Sequence, residues 1–283
     1  MRLPDSMSGL VNMDQLNLAS NKIIRVPSLD GMTNLKRLAL FMNRISQMAD
    51  LRTQSKLEKL EIYQNILPQL PACCAMYAFV ALPPHSCFSS LLPPAALALL
   101  TPLCMPNLDD LRVSKNPDLV TLPPFFSGFP RLVEFYGFNC KIEVLPEELA
   151  RCKILTKIMV NGNRLSSLPD AVARSAVRHP QQLAPFFSRA IVTADQVLAA
   201  LDISDNKFTE VPPGLAEAAD LKLLFVANNQ ITNLPPFLTD LPQLNRLNIS
   251  GNPIDKTSAA NEDLHAKLQD LCTKRGGKFH GLA

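Results

Sequence analysis

The 283-residue chain has no tryptophan, only three tyrosines, and no Asp, Glu, Lys or Arg anywhere between Ile62 and Leu108. Its N-terminus, MRLPDSMSGL, has no basic segment followed by an apolar one, so no secretory signal is visible. Seven cysteines, an odd number without framework spacing, argue for reduced thiols in an intracellular protein rather than for disulfides. Lys and Arg are scattered, and the net charge of +3 supplies no concentrated basic stripe, so nucleic acid is not an expected partner. The uncharged run resembles a membrane span only in composition. Pro83-Pro84, Pro93-Pro94 and Pro102 cut it into pieces too short for the roughly 20 continuous helical residues that a bilayer requires. A hydrophobic fraction of 47% against 19% charge belongs to a chain that can bury a core.

Internal periodicity organises that core. The segments LDISDNKFTEVP, LKLLFVANNQITNLP and LNRLNISGNPI align on L-x-x-L-x-L-x-x-N-x-L, often with a Leu-Pro step after it. Nine copies open at Met13, Leu35, Leu57, Leu108, Leu132, Leu155, Leu198, Leu221 and Leu244, at intervals of 22, 22, 51, 24, 23, 43, 23 and 23. The ninth position is Asn in eight of them: Asn21, Asn43, Asn65, Asn116, Asn163, Asn206, Asn229 and Asn252. Cys140 replaces it in the fifth. Apolar residues alternating in L-x-L make a short strand with one buried face. The remaining residues return the chain to the next strand. The Asn amide carries both donors and an acceptor, so stacked turns form a ladder that satisfies backbone groups beyond each strand.

These motifs resemble the leucine-rich repeat family over almost the whole chain outside two oversized intervals. The resemblance implies an α/β solenoid: a horseshoe with a concave parallel sheet of about nine strands, irregular Pro-rich convex returns and a C-terminal capping helix. The Leu-Pro steps, such as Leu122-Pro123, Leu145-Pro146 and Leu234-Pro235, are similar to the intracellular Leu-Pro type. That type includes the plant Ras-group, Scribble-like and Ras-suppressor-like proteins. The shorter first three repeats lean toward the phosphatase-1 regulatory type.

Residues 1–12 read as the second half of a repeat whose strand is absent, so the solenoid is expected to begin upstream of Met1. Repeats 1–3 occupy 13–71, repeats 4–6 occupy 106–173 and repeats 7–9 occupy 194–256. Residues 72–105 and 174–193 are insertions at the convex return, and the first also fits the composition of a retained intron. Residues 257–283 form a cap helix and tail. Asn261 is the expected N-cap, Leu264, Leu268 and Leu271 the buried face, and Gly276 the stop.

No phosphate-binding loop, dinucleotide fingerprint, zinc-protease or kinase motif occurs, so neither catalysis nor a cofactor is expected. Cys73-Cys74, His85, Cys87 and Cys104 lack the paired spacing of a structural zinc site, and no metal is expected. What remains is the concave surface. Residues beside the core leucines present Phe41, Tyr63, Tyr136, Phe138, Met159 and Phe225, with Lys59, Glu61, Arg112, Glu134 and Lys157 around them. Aromatics with a charged rim have the composition of a binding hot spot. The competing reading is that these side chains only pack against one another across strands.

The expected function is a non-catalytic interaction module, an intracellular scaffold or regulatory subunit with a protein on its concave face. By resemblance the partner is a small GTPase, a phosphatase or another signalling protein. The alternative is the recognition arm of a larger enzyme, a kinase, GTPase or ubiquitin ligase, whose catalytic part lies upstream.

Overall fold

The computed structural model describes residues 3–71, 105–123, 126, 128–169, 198–255 and 257–281. Residues 72–104 and 174–193, and with them the cysteine-histidine group considered for zinc, lie outside the described residues. The strands in chain order are β1 (Gln15–Asn17), β2 (Arg25–Val26), β3 (Arg37–Ala39), β4 (Gln47–Met48), β5 (Lys59–Glu61) and β6 (Asp110–Arg112). They continue with β7 (Glu134–Tyr136), β8 (Lys157–Met159), β9 (Ala200–Asp202), β10 (Leu223–Phe225), β11 (Arg246–Asn248) and β12 (Lys278–His280). Helix α1 spans Ala259–Lys274.

Ten of these strands form a single parallel sheet in the order β1-β3-β5-β6-β7-β8-β9-β10-β11-β12. This is the leucine-rich repeat horseshoe, each turn adding one strand beside the last. The middle residue of the first nine strands points into the core: Leu16, Leu38, Leu60, Leu111, Phe135, Ile158, Leu201, Leu224 and Leu247 are all buried and in mutual register. Each such side chain contributes about 1.5–3 kcal/mol by leaving water. Alternation then forces the residues on either side to the opposite, concave face. Three phenylalanines, Phe126, Phe129 and Phe135, meet edge-on at 5.4–5.6 Å between ring centroids in the middle of the core.

The Pro-rich returns contain no helix longer than a short 3-10 turn among the described residues. Single 3-10 turns follow the prolines at Glu147–Arg151, Pro213–Glu217 and Pro236–Thr239, because proline at a turn's start needs no donor there. In the first two repeats the return is instead a short parallel pair, β2 with β4. At the N-terminal end Leu3 is buried and a 3-10 turn covers Asp5–Gly9.

The sheet has ten strands, one beyond the nine repeats. Helix α1 carries the chain back by one solenoid turn, and Gly276 reverses it with φ +68°. At Gly277 a side chain would collide with the Asn245 carbonyl, so only glycine lets the backbone approach this closely. Lys278 N–H then donates to Asn245 O (3.0 Å) and Ile249 N–H to His280 O (2.9 Å), extending the sheet.

The helix cap also differs from expectation. The N-cap is Ser258, and Asn261 is buried inside the first turn. There its Nδ2 donates to Asp255 O at 3.0 Å, and its Oδ1 accepts the Leu234 N–H at 3.4 Å. A polar residue expected to start the helix thus fastens it to the preceding repeat. The buried face is Leu264, Leu268 and Cys272, with Leu271 only half-buried.

The asparagines tie neighbouring turns together with bonds both donated and accepted. Asn65 Nδ2 donates to Leu40 O of the preceding turn and to Ile62 O of its own, both at 3.0 Å, while its Oδ1 accepts the Ile45 N–H at 2.9 Å. Asn43, Asn116, Asn163, Asn206, Asn229 and Asn252 repeat this pattern. Asn21, in the first turn, is exposed and bonds only to Leu18 O and Ala19 O. The residue before each ladder position has positive φ in all nine turns: Ser20, Met42, Gln64, Lys115, Asn139, Gly162, Asp205, Asn228 and Gly251. The chain must turn sharply there to bring the amide inward, so the left-handed conformation is imposed even where the residue is not glycine.

Candidate protein-binding face

On the concave face, strands β5 to β8 bring together a continuous charged chain. Lys59 Nζ lies 3.6 Å from Glu61 and 3.1 Å from Asp110 of the next strand. Asp110 in turn accepts both arms of Arg112: Nε donates to Oδ1 and a terminal nitrogen to Oδ2, each at 2.9 Å. This fork geometry is the strongest form of carboxylate pairing. Arg112 also reaches Glu134 at 4.0 Å. Its hydrogen bond to Asp110 raises the Arg112 pKa, although burial works against it.

Tyr136 closes the chain. Its hydroxyl donates to Glu134 Oε2 at 2.7 Å, and its ring lies between two cations, Arg112 at 4.7 Å and Lys157 at 5.0 Å from the centroid. Such contacts are worth about 0.5–1 kcal/mol each at partly exposed sites. Burial pushes the Tyr136 phenol up, so it stays protonated and remains a donor at neutral pH. Phe41 and Tyr63, from neighbouring turns, stack face to face with centroids 4.7 Å apart and planes 3° from parallel. Burial, followed by the Glu61 charge, raises the Tyr63 pKa as well.

The aromatic and charged residues singled out in the sequence therefore separate. Phe41 and Tyr63 form one cluster; Lys59, Glu61, Arg112, Glu134, Tyr136 and Lys157 form another. The row that carries Phe41 and Tyr63 is interrupted by buried Ser114, whose Oγ accepts the Phe138 N–H at 3.1 Å. Among the described residues no ring contact joins Phe138 or Phe225 to either cluster. Met159 and Phe225 instead flank Asp202 further along the sheet. Asp110 was missed: it is buried and central to the ion chain, yet nothing in its flanking residues marks it. The available signal was its place two residues before Arg112, in the same row as Lys59, Glu134 and Lys157.

Cys140 stands in the ladder with its thiol 3.6 Å from Val113 O. Burial raises its pKa, and burial likewise pushes Cys152 up to about 12, so neither thiol is activated at neutral pH. Cys140, Cys152 and Cys272 are buried thiols, not disulfides. Among the described residues no cluster of three or more His, Cys, Asp or Glu could hold a metal, and no helix is long and apolar enough to cross a membrane.

Comparisons with known proteins bear on the fold. The family model for Leucine rich repeat matches residues 196–254. No curated protein matches the chain. Among solved structures, the plant peptide hormone receptor RGFR1 in complex with RGF2 is 22% identical with a TM-score of 0.57, over 89% of this chain and 38% of that one. The ectodomain of the Arabidopsis receptor kinase HAESA, in complex with an IDA peptide hormone, is 18% identical with a TM-score of 0.58, over 88% of this chain and 36% of that one. The functional domain of InlJ from Listeria monocytogenes is 16% identical with a TM-score of 0.56, over 98% of this chain and 50% of that one. The chain thus spans half or less of the length of each. Repeat spacing, asparagine ladder, ten-stranded parallel sheet and these likenesses together make the chain a leucine-rich repeat solenoid.

Proposed function

We propose that the chain is a non-catalytic interaction module that holds a protein partner on the concave face of strands β3 to β8. The observation that carries this reading is Tyr136, fixed between Arg112 and Lys157 and tied to Glu134, with the stacked Phe41–Tyr63 pair on the turns before it. Tyrosine and arginine held in place before binding lose little side-chain entropy when a partner arrives, and such residues carry most interface energy. Strands about 4.8 Å apart make a face tens of ångströms long, which suits a polypeptide better than a small molecule. The RGFR1 and HAESA structures are themselves complexes with peptides. The role is that of an intracellular signalling scaffold or regulatory subunit, and the resemblance to the Leu-Pro type favours a small GTPase or phosphatase as partner.

The test is affinity capture with the purified chain, compared with a Tyr136→Ala/Phe138→Ala double variant. Specific partners are expected to be lost from the variant while its far-UV spectrum is unchanged. Undiminished capture, or a variant that no longer folds, sinks the reading.

A further inference from the structure

Asp202 differs from every other carboxylate in the strands of the concave face. Glu61, Asp110 and Glu134 each have a cation within 4.0 Å. Asp202 has none among the described residues, although it is half-buried between apolar side chains of the two neighbouring strands. In the sheet its direct neighbours are Met159 on one side and Phe225 on the other, with Ala200 and Leu223 in the adjoining row.

The local fold does not need the charge. Asp202 Oδ1 accepts the N–H of Ser204 at 3.0 Å. At the same repeat position, Asn17 Oδ1 accepts the Ala19 N–H and Asn248 Oδ1 the Ser250 N–H, each at 3.1 Å. A neutral amide therefore does the structural work in two other repeats. The ninth-strand carboxylate bears a desolvation cost that an asparagine would avoid, and that cost shows as a raised pKa caused first by burial.

We propose that Asp202 is a specificity-determining residue: it receives a Lys or Arg side chain of the bound partner, whose neighbouring apolar residues lie on Met159, Phe225 and Leu223. The proposal rests on the concave face being the protein-binding face, and it names the chemistry recognised there. Charge complementarity selects the occupant. A cation brought into this site would gain a partly desolvated carboxylate that has Ser204 as hydrogen-bond partner but no cation beside it among the described residues, whereas an acidic or purely apolar segment would bury that charge uncompensated.

A random dodecapeptide library displayed on phage, selected on the immobilised full chain, tests this. Clones from the wild type are expected to carry a Lys or Arg between apolar residues and to perturb backbone amides of β8 to β11. They should bind Asp202→Asn at least about tenfold more weakly, while that variant keeps the wild-type melting temperature or exceeds it. Clones that perturb β8 to β11 yet lack a basic residue, or bind Asp202→Asn equally well, overturn the role of Asp202 and leave the concave face as the binding face. Clones that perturb only convex residues, or a selection that yields no binder, overturn both.

Discussion

Asn116 Nδ2 donates to the carbonyl oxygen of Ile62, 54 residues earlier in the chain, at 3.2 Å. In an uninterrupted pair of turns the same bond spans 25 residues, from Asn65 to Leu40. Asn206 likewise reaches Val160 across 46 residues at 3.1 Å. Strands β5 and β6, and β8 and β9, also pair directly. The turns on either side of both long intervals therefore pair directly and in register.

This continuity predicts that deleting residues 77–104 leaves a return of ordinary length and an intact sheet. Removing 28 residues restores an interval of 23 between Leu57 and Leu108. Closing a shorter loop costs slightly less entropy, so the melting temperature should hold or rise by a degree or two. Circular dichroism and calorimetry of the deletion variant measure it, and loss of the cooperative transition refutes it.

The ladder itself can be tested at the position that breaks it. In most repeats the core residue two places after the ladder position gives its N–H to the next turn's Asn, as Ile45 does to Asn65 and Ile142 to Asn163. The fourth repeat has one more residue there, and its core residue Leu119 donates to Asn116 O at 3.1 Å instead. The Leu119 N–H is thus not given to position 140, where a cysteine stands in place of asparagine. Cys140→Asn should be close to neutral, whereas Asn163→Cys should cost about 1–3 kcal/mol by leaving the Ile142 N–H buried and unpaired. Denaturant midpoints of the two variants decide the matter.

Backbone conformation supplies an independent prediction. Lys115 and Met42 have φ 57°, a conformation that glycine adopts without strain. Lys115→Gly should stabilise the chain by about 0.5–1 kcal/mol, the relief of strain exceeding the entropy gained by the unfolded state. Gly251→Ala should do the reverse by about 1–3 kcal/mol, because φ is +69° and the new methyl group would run into the Asn228 side chain. Urea unfolding of both variants, with opposite shifts in midpoint, is the expected result.

Asp202 gives a pH dependence with a definite sign. Its pKa in the folded chain is raised above the ordinary 3.8, chiefly by burial, so the folded state holds a proton that the unfolded state has released. Stability contributed by this group is present below pH 3.8 and is lost as pH rises through the folded pKa. Asp202→Asn lacks this loss. The variant should gain on the wild type between pH 3.5 and pH 7 in paired urea titrations, and a difference that does not change with pH refutes the assignment.

Much of the architecture was legible in residues alone. Leu16, Leu38, Leu60 and their counterparts recur at the spacing of a solenoid turn, and alternation about each dictates which neighbours face outward. Asn at the ninth position marks where a sharp turn leaves backbone groups without partners. These are local demands, repeated nine times, so one chain contains its own confirmation of them.

What the tertiary structure decided depends on residues far apart in sequence. The Lys59–Asp110 pair, 3.1 Å long, joins residues on either side of the first long interval, and only the sheet register places them together. The fork between Asp110 and Arg112, and the place of Tyr136 between two cations, follow from which side chains lie across one strand spacing. The tenth strand needed Gly277 to pass close to Asn245, and Asn261 was drawn inside its helix by donors and acceptors of the preceding repeat. Sequence determined the repeat because its period is imposed by backbone geometry. Structure decided the surface because pairings across strands depend on distances that no single repeat contains.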